Sequence, residues 1–228
     1  MKGTRILLIV GVFLFSLGAS AGQASCTPVV LVTGFEPFQN YTVNPSGLIA
    51  EALNGSSIAG ASVVGIVLPV DYNESIEIAV RAITLYHPIL VISCGLNPRS
   101  HDIRVEKIGV NLKRYQKENG RLSFPRRINA SGPFLRISSL PMVEIARATR
   151  NANISVQLSF FAGMYVCNGL FYQLLGYAHG HDSSPEVGFI HVPLLDSQDP
   201  QGMPLEKMVD AVTISIQVSL DSSFVYST

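Results

Sequence analysis

Short, unbroken apolar runs recur along this chain. Between them lie segments whose apolar residues return every three or four positions. Val29-Val30-Leu31-Val32-Thr33 is the first run and reads as a strand buried on both faces. It leads into Gly34-Phe35-Glu36-Pro37-Phe38, a loop in which glycine permits a sharp turn and proline stiffens the next bend. Asn44 then caps a helix with Pro45 at its first position, running to about Leu53 and stopping at Asn54-Gly55. Ala61 to Leu68 is a second strand. Tyr72 to Tyr86 is an amphipathic helix with Ile76, Ala79, Val80 and Ile83 on one face, ended by His87-Pro88. Ile89 to Ser93 is a third buried strand, with Cys94-Gly95-Leu96-Asn97-Pro98 as the loop beyond it. Asp102 to Asn111 follows and carries Glu106. Lys113 to Arg136 is polar and basic, interrupted by Gly120, Pro125 and Gly132-Pro133, and reads as a loop or hairpin excursion.

The second half repeats the alternation. Pro141 to Arg150 is a helix and Ile154 to Phe161 a strand. A helical pattern follows through Leu170, Leu174, Leu175 and Ala178. Glu186 to Pro193 is a strand, and Leu205 to Leu220 a final helix with Met208, Val212 and Ile216 turned inward. Strands alternating with helices at this spacing predict an α/β fold: one domain with a mostly parallel, twisted central sheet and helices on both faces.

The N-terminus departs from this pattern. Lys2 and Arg5 precede an apolar stretch from Ile6 to Phe15, then mostly small residues to Ser25. That arrangement predicts a secretory signal peptide over residues 1–24, cut after Ala21 or Ala24, with residues 25–228 as the mature domain. The apolar stretch is short for a membrane span, so cleavage is expected rather than an uncleaved membrane anchor, with no stable membrane insertion afterwards. The expected location is secreted or extracytoplasmic. Asn40, Asn54, Asn73, Asn129 and Asn153 each begin an Asn-x-Ser/Thr sequon, and glycosylation is expected on that basis. Formal net charge is zero, which argues against a general nucleic-acid binder.

Three cysteines, Cys26, Cys94 and Cys167, make no disulfide framework, and an odd count in an exported chain suggests a free thiol. Cys167 falls at a strand-to-helix corner. Backbone N–H groups and the helix dipole favour a thiolate there. Cys94 reads as core. His191, near the end of a strand, is a candidate base, with His87, His101, His179 and His181 as competitors. Glu106 is a candidate to orient the imidazole, alongside Asp71, Asp102, Asp182, Asp196 and Glu186. His179-Gly180-His181 has no companion ligands, so neither a metal nor another cofactor is expected.

Six segments carry a resemblance. They are Thr33 to Phe38, Asn44-Pro45-Ser46, Leu68-Pro69, Val105 to Asn111, Tyr165-Val166-Cys167-Asn168, and Gly188 to Pro193. In these pieces and their order the chain resembles the pyroglutamyl peptidases, also called pyrrolidone-carboxylate peptidases, a family of cysteine exopeptidases. The resemblance implies an α/β/α sandwich and removal of N-terminal pyroglutamate from peptides. It implies Cys167 as nucleophile, His191 as acid/base and Glu106 as orienting acid, with Phe35, Phe38, Tyr165 and Val166 around the pyrrolidone ring. It implies peptide substrates as partners, and either a monomer or a homo-oligomer.

Three stretches depart from the family pattern. Leu96 stands where a glutamine is usual. Phe160-Phe161 alter the wall before the nucleophile. Lys113-Arg114 replace a common acidic pair. A related exported hydrolase of altered N-terminal specificity, and a non-catalytic pyroglutamyl-peptide binder, are the alternative readings.

Overall fold

The computed structural model describes residues 27–115, 121–180 and 184–225, with the side chains of 222–225 excepted. The expected signal segment, Cys26, His181 and Asp182 lie outside the described residues.

Strand β1 (Val29–Phe35) is followed by α1 (Pro45–Leu53), β2 (Ser57–Ile58), β3 (Ala61–Leu68), α2 (Glu74–Tyr86) and β4 (Leu90–Leu96). Then come β5 (Ile103–Glu106), β6 (Ile108–Val110), β7 (Leu135–Ile137), α3 (Met142–Asn151) and β8 (Val156–Ser159). The chain closes with α4 (Val166–Ala178), β9 (Glu186–Val192) and α5 (Leu205–Val225). Seven strands form one sheet in the order β2-β3-β1-β4-β9-β5-β8. The centre, β3-β1-β4-β9, is parallel. β5 runs antiparallel to β9, and β8 runs parallel to β5, so this edge is reversed. The predicted mostly parallel sheet is present, with a mixed edge.

Strands β1, β4 and β9 are buried on both faces, which is why they read as continuous apolar runs. Alternate residues feed two separate cores. Val30, Val32, Ile92 and Ile190 pack against α1, α3 and α5 through Ile49, Ile145, Met208 and Val212. Leu31, Val91, Val187 and Phe189 pack on the other face against α2 and α4 through Ala79, Ile83, Leu170 and Phe171. The result is three layers, α/β/α. Among the described residues no helix is long and apolar enough to cross a membrane.

Local details refine the sequence reading. β4 extends through Cys94 and Gly95 to Leu96, residues expected in a loop. The strand read from Ile154 to Phe161 is only Val156–Ser159, and residues 160–165 form a connection into α4. Phe35 is the last residue of β1 and 2 % exposed, not a loop residue. The Lys113–Arg136 excursion is a hairpin: β6 pairs antiparallel with β7, and Lys113 bridges Arg126. Asn44 caps α1 as expected, accepting from the Ser46 N–H at 3.1 Å. Its amide also donates to the Glu36 carbonyl, and the Ser46 hydroxyl accepts from the Phe35 N–H. These bonds tie the loop after β1 to the start of α1.

Candidate active site

His191 lies near the carboxyl end of β9, on the face covered by α4. Its register partner on β5 is Arg104, and the partner of Phe189 is Glu106. His191 and Glu106 are therefore diagonal neighbours on one face of an antiparallel pair, within reach of long side chains. The Nδ1 of His191 is 2.8 Å from Oε1 of Glu106, and both side chains are buried. A carboxylate on Nδ1 holds the ring proton there and turns Nε2 outward as an acceptor. The Phe189 ring packs against the imidazole at a tilt, 4.9 Å between centroids, and closes off one side.

Cys167 is the second residue of α4, after Tyr165 as N-cap and Val166 as the first helical residue. Tyr165 makes no side-chain cap. The first-turn N–H groups, which have no partner inside the helix, point past the thiol. Cys167 lies close enough to His191 to act on its proton affinity. Burial alone would lower the proton affinity of His191, but the hydrogen bonds and charges of Cys167 and Glu106 outweigh it and raise its pKa to about 9. An imidazole with that affinity is a competent acceptor for a thiol proton.

β4 supplies the floor. Gly95 faces α4, and a Cβ there would come 2.8 Å from the Cys167 Sγ and 2.9 Å from Phe189 Cζ. Only glycine leaves room for the thiol. Cys94, the next residue back, points into the opposite core, and burial pushes its pKa up to about 12. The sheet separates the two cysteines, and both are free.

The other sequence candidates separate cleanly. His87 ends α2 in the left-handed conformation, and His179 Nδ1 lies 2.6 Å from the Leu175 carbonyl at the end of α4. Asp71 caps the start of α2, holding the Asn73 and Glu74 N–H groups. Asp102 holds Ser155 and Gln157. Among the described residues no group of three or more His, Cys, Asp or Glu gathers as a metal site. Phe35 and Val166 belong to one buried cluster with Leu68 and Phe189. Phe38 is half-buried against Tyr41, and Tyr165 is exposed.

Two further residues shape the site without having been assigned a role from sequence. The Asn168 side chain accepts from the Val110 N–H and donates to the carbonyls of Val110 and Leu112, each at 2.9 Å. It pins the chain after Glu106 to the first turn of α4. Asn111 organises the excursion, accepting from Ile128 and Asn129 N–H and donating to Asn129 and Gly132 carbonyls. Both asparagines sit inside the motif segments, and buried amides beside apolar runs are the signal that marks them.

A three-layer α/β fold with a thiol, imidazole and carboxylate gathered on one face is the arrangement of a cysteine peptidase. Comparison with known proteins defines which. The family model for pyroglutamyl peptidase matches residues 29–222. Pyrrolidone-carboxylate peptidase 1 of Ralstonia nicotianae is 34% identical over 200 residues, covering 86% of this chain and 93% of that protein. Pyrrolidone-carboxylate peptidase of Saccharolobus islandicus is 36% identical over 200 residues, covering 84% and 94%. Pyrrolidone carboxyl peptidase from Thermococcus litoralis superposes with a TM-score of 0.80 at 31% identity, covering 85% and 94%. Pyroglutamyl peptidase I of Bacillus amyloliquefaciens superposes with a TM-score of 0.78 at 29% identity, covering 84% and 96%. The chain belongs to the pyroglutamyl peptidase family of cysteine peptidases.

Proposed function

We propose that this protein removes N-terminal pyroglutamate from peptides through Cys167, His191 and Glu106. The observation that carries the reading is the buried His191–Glu106 pair, 2.8 Å apart, on the sheet face covered by α4, whose first turn carries Cys167. His191 Nε2 takes the proton from Cys167 Sγ. The thiolate attacks the carbonyl carbon that joins the pyroglutamyl residue to the rest of the peptide. The resulting oxyanion faces the free N–H groups at the start of α4. As the C–N bond breaks, His191 passes its proton to the departing amine and a thioester remains on Sγ. His191 then takes a proton from water, hydroxide adds to the thioester, and pyroglutamate leaves with the thiol restored. Glu106 keeps the imidazole in one tautomer and stabilises its charged form.

The pyroglutamyl ring is small, flat and uncharged, so apolar walls hold it. In this reading Phe35 and Val166 form the floor, while Phe38 and Tyr165 form the rim. The N-terminal signal reading belongs to the same proposal. It is supported by the basic-then-apolar pattern before Ser16 and by a family match that begins only at residue 29. Residues 25–228 would then act outside the cytoplasm, with glycans on the exposed sequons. N-terminal sequencing of the protein from culture medium tests this, and recovery of the intact N-terminus inside cells would refute it.

The activity test is release of a chromophore from a pyroglutamyl amide. Hydrolysis that is lost in Cys167→Ala supports the proposal. Hydrolysis surviving that change refutes it, and binding without turnover by the parent chain favours the non-catalytic alternative.

A further inference from the structure

The excursion after Glu106 concentrates positive charge beside the site. Lys113, Arg114, Arg121, Arg126, Arg127 and Arg136 fall within it, and Glu118 is the one acidic residue in that stretch of a chain with zero formal net charge. The excursion is fastened to the nucleophile's helix. Asn168, the residue after Cys167, holds the backbone of Val110 and Leu112. The Arg114 N–H donates to the Met164 carbonyl at 2.7 Å. The Tyr72 hydroxyl lies 2.5 Å from the Arg114 carbonyl and 2.9 Å from that of Met164. The ring of Tyr72 lies against Gly169, and the ammonium of Lys113 stands 5.4 Å from its centroid. The base of the excursion thus borders the first turn of α4 on both sides of Cys167.

Among the described residues, neither Lys113, Arg114 nor Arg126 forms an ion pair with a carboxylate within 4.0 Å. Arg114 Nε donates to the Ser123 carbonyl, which leaves its charge intact. The guanidinium of Arg126 lies 6.0 Å from the Tyr115 ring centroid. Asp71 is the acidic group that feels Lys113, and its carboxylate is already occupied by two N–H groups of α2.

A pyroglutamyl ring carries no charge, so a cationic rim acts on whatever follows the ring. We propose that Lys113, Arg114 and Arg126 form a collar that selects pyroglutamyl peptides with acidic residues directly after the pyroglutamyl group. The proposal rests on the hydrolase reading above. The attraction acts through solvent at the rim and is the same in ground and transition states, so it lowers KM and leaves kcat nearly unchanged. It is also screened by salt, because the Debye length falls from about 10 Å at 0.1 M to about 3 Å at 1 M ionic strength.

The experiment compares three pyroglutamyl peptides that differ only in the two residues after the pyroglutamyl group: Glu-Glu, Ala-Ala and Lys-Lys. At low salt the expected kcat/KM for the Glu-Glu peptide exceeds that for Lys-Lys by more than threefold, with the difference in KM. The ratio should fall toward one at about 1 M salt. In the double variant Lys113→Glu/Arg126→Glu the low-salt ratio should drop below that of the parent chain. The salt series on the parent chain stands by itself if the variant does not fold. A Glu-Glu to Lys-Lys ratio below threefold, or a ratio that salt does not move, overturns the collar while cleavage of the Ala-Ala peptide keeps the hydrolase reading. Absence of cleavage of all three peptides overturns both.

Discussion

Gly95→Ala tests the packing beneath the nucleophile. The new Cβ would stand 2.8 Å from Sγ of Cys167, 2.9 Å from Cζ of Phe189 and 3.2 Å from its Cε1. Ordinary carbon–sulfur and carbon–carbon contacts begin near ~3.5 Å, so the shortfall is roughly 0.7 Å. Phe189 is fully buried, wedged between Phe171 at 5.7 Å and the His191 ring at 4.9 Å. It has little room to yield. The thiol sits in a partly open first helical turn and is the part that moves. A misplacement approaching 1 Å at a reacting atom costs roughly 10²-fold in rate. Overpacking adds about 1–3 kcal/mol of destabilisation, a fall in Tm of several degrees for a domain of this size. The assay is kcat/KM on a pyroglutamyl amide, paired with the rate of Cys167 alkylation and a thermal melt. Gly180→Ala is the control, since its nearest neighbours would be 3.7 Å away. A Gly95→Ala protein within threefold of the parent in both rate and alkylation would refute the reasoning.

Other expectations follow from the same geometry. Glu106→Gln should lower kcat/KM by roughly 10²–10⁴-fold. It should also move the His191 limb of the pH–rate profile to lower pH, because the carboxylate that favours the imidazolium is gone. Asn168→Ala leaves the Val110 N–H and two carbonyls without their partner and should cost ~3 kcal/mol or more in urea unfolding. The raised pKa of His191 has a consequence for stability. Its contribution is complete below about 6.5 and is lost as pH rises through about 9, an effect of ~3 kcal/mol. Urea melts at pH 6 and pH 10 should show this slope, and His191→Gln should flatten it. In a thiol-labelling time course, Cys167 should react while Cys94 stays protected until unfolding, since Cys94 is fully buried with its pKa near 12.

Much of the architecture is legible in the chain because strands buried on both faces must be apolar throughout. That is why Val29 to Thr33, Leu90 to Ser93 and Val187 to Val192 stand out. The reversed edge is not legible. β5 carries Arg104 and Glu106 on its α4-facing side, so it lacks the continuous apolar signature, and the insertion of β9 between β4 and β5 is a tertiary choice. β8 is short, and the apolar residues after it, Phe160 and Phe161, are exposed, so a strand drawn from hydrophobicity runs too far. The site shows the same division. A cysteine at a helix start is a local pattern. The pairing of His191 with Glu106, 85 residues apart, depends on a cross-strand diagonal that no local spacing encodes, and only the family resemblance singles it out. The role of Gly95 needs the thiol's position in space. The strap from Asn168 to Val110 and Leu112 likewise joins segments that only the fold brings together.

In the proposed reaction Cys167 carries the pyroglutamyl group during turnover. Rapid acid quench of the enzyme with a pyroglutamyl ester, followed by peptide mass spectrometry, tests it directly. One pyroglutamyl unit is expected on the peptide containing Cys167, absent in Cys167→Ala and shorter-lived in the parent than in His191→Gln. Steady turnover with no adduct on Cys167, continuing in Cys167→Ala, would contradict it.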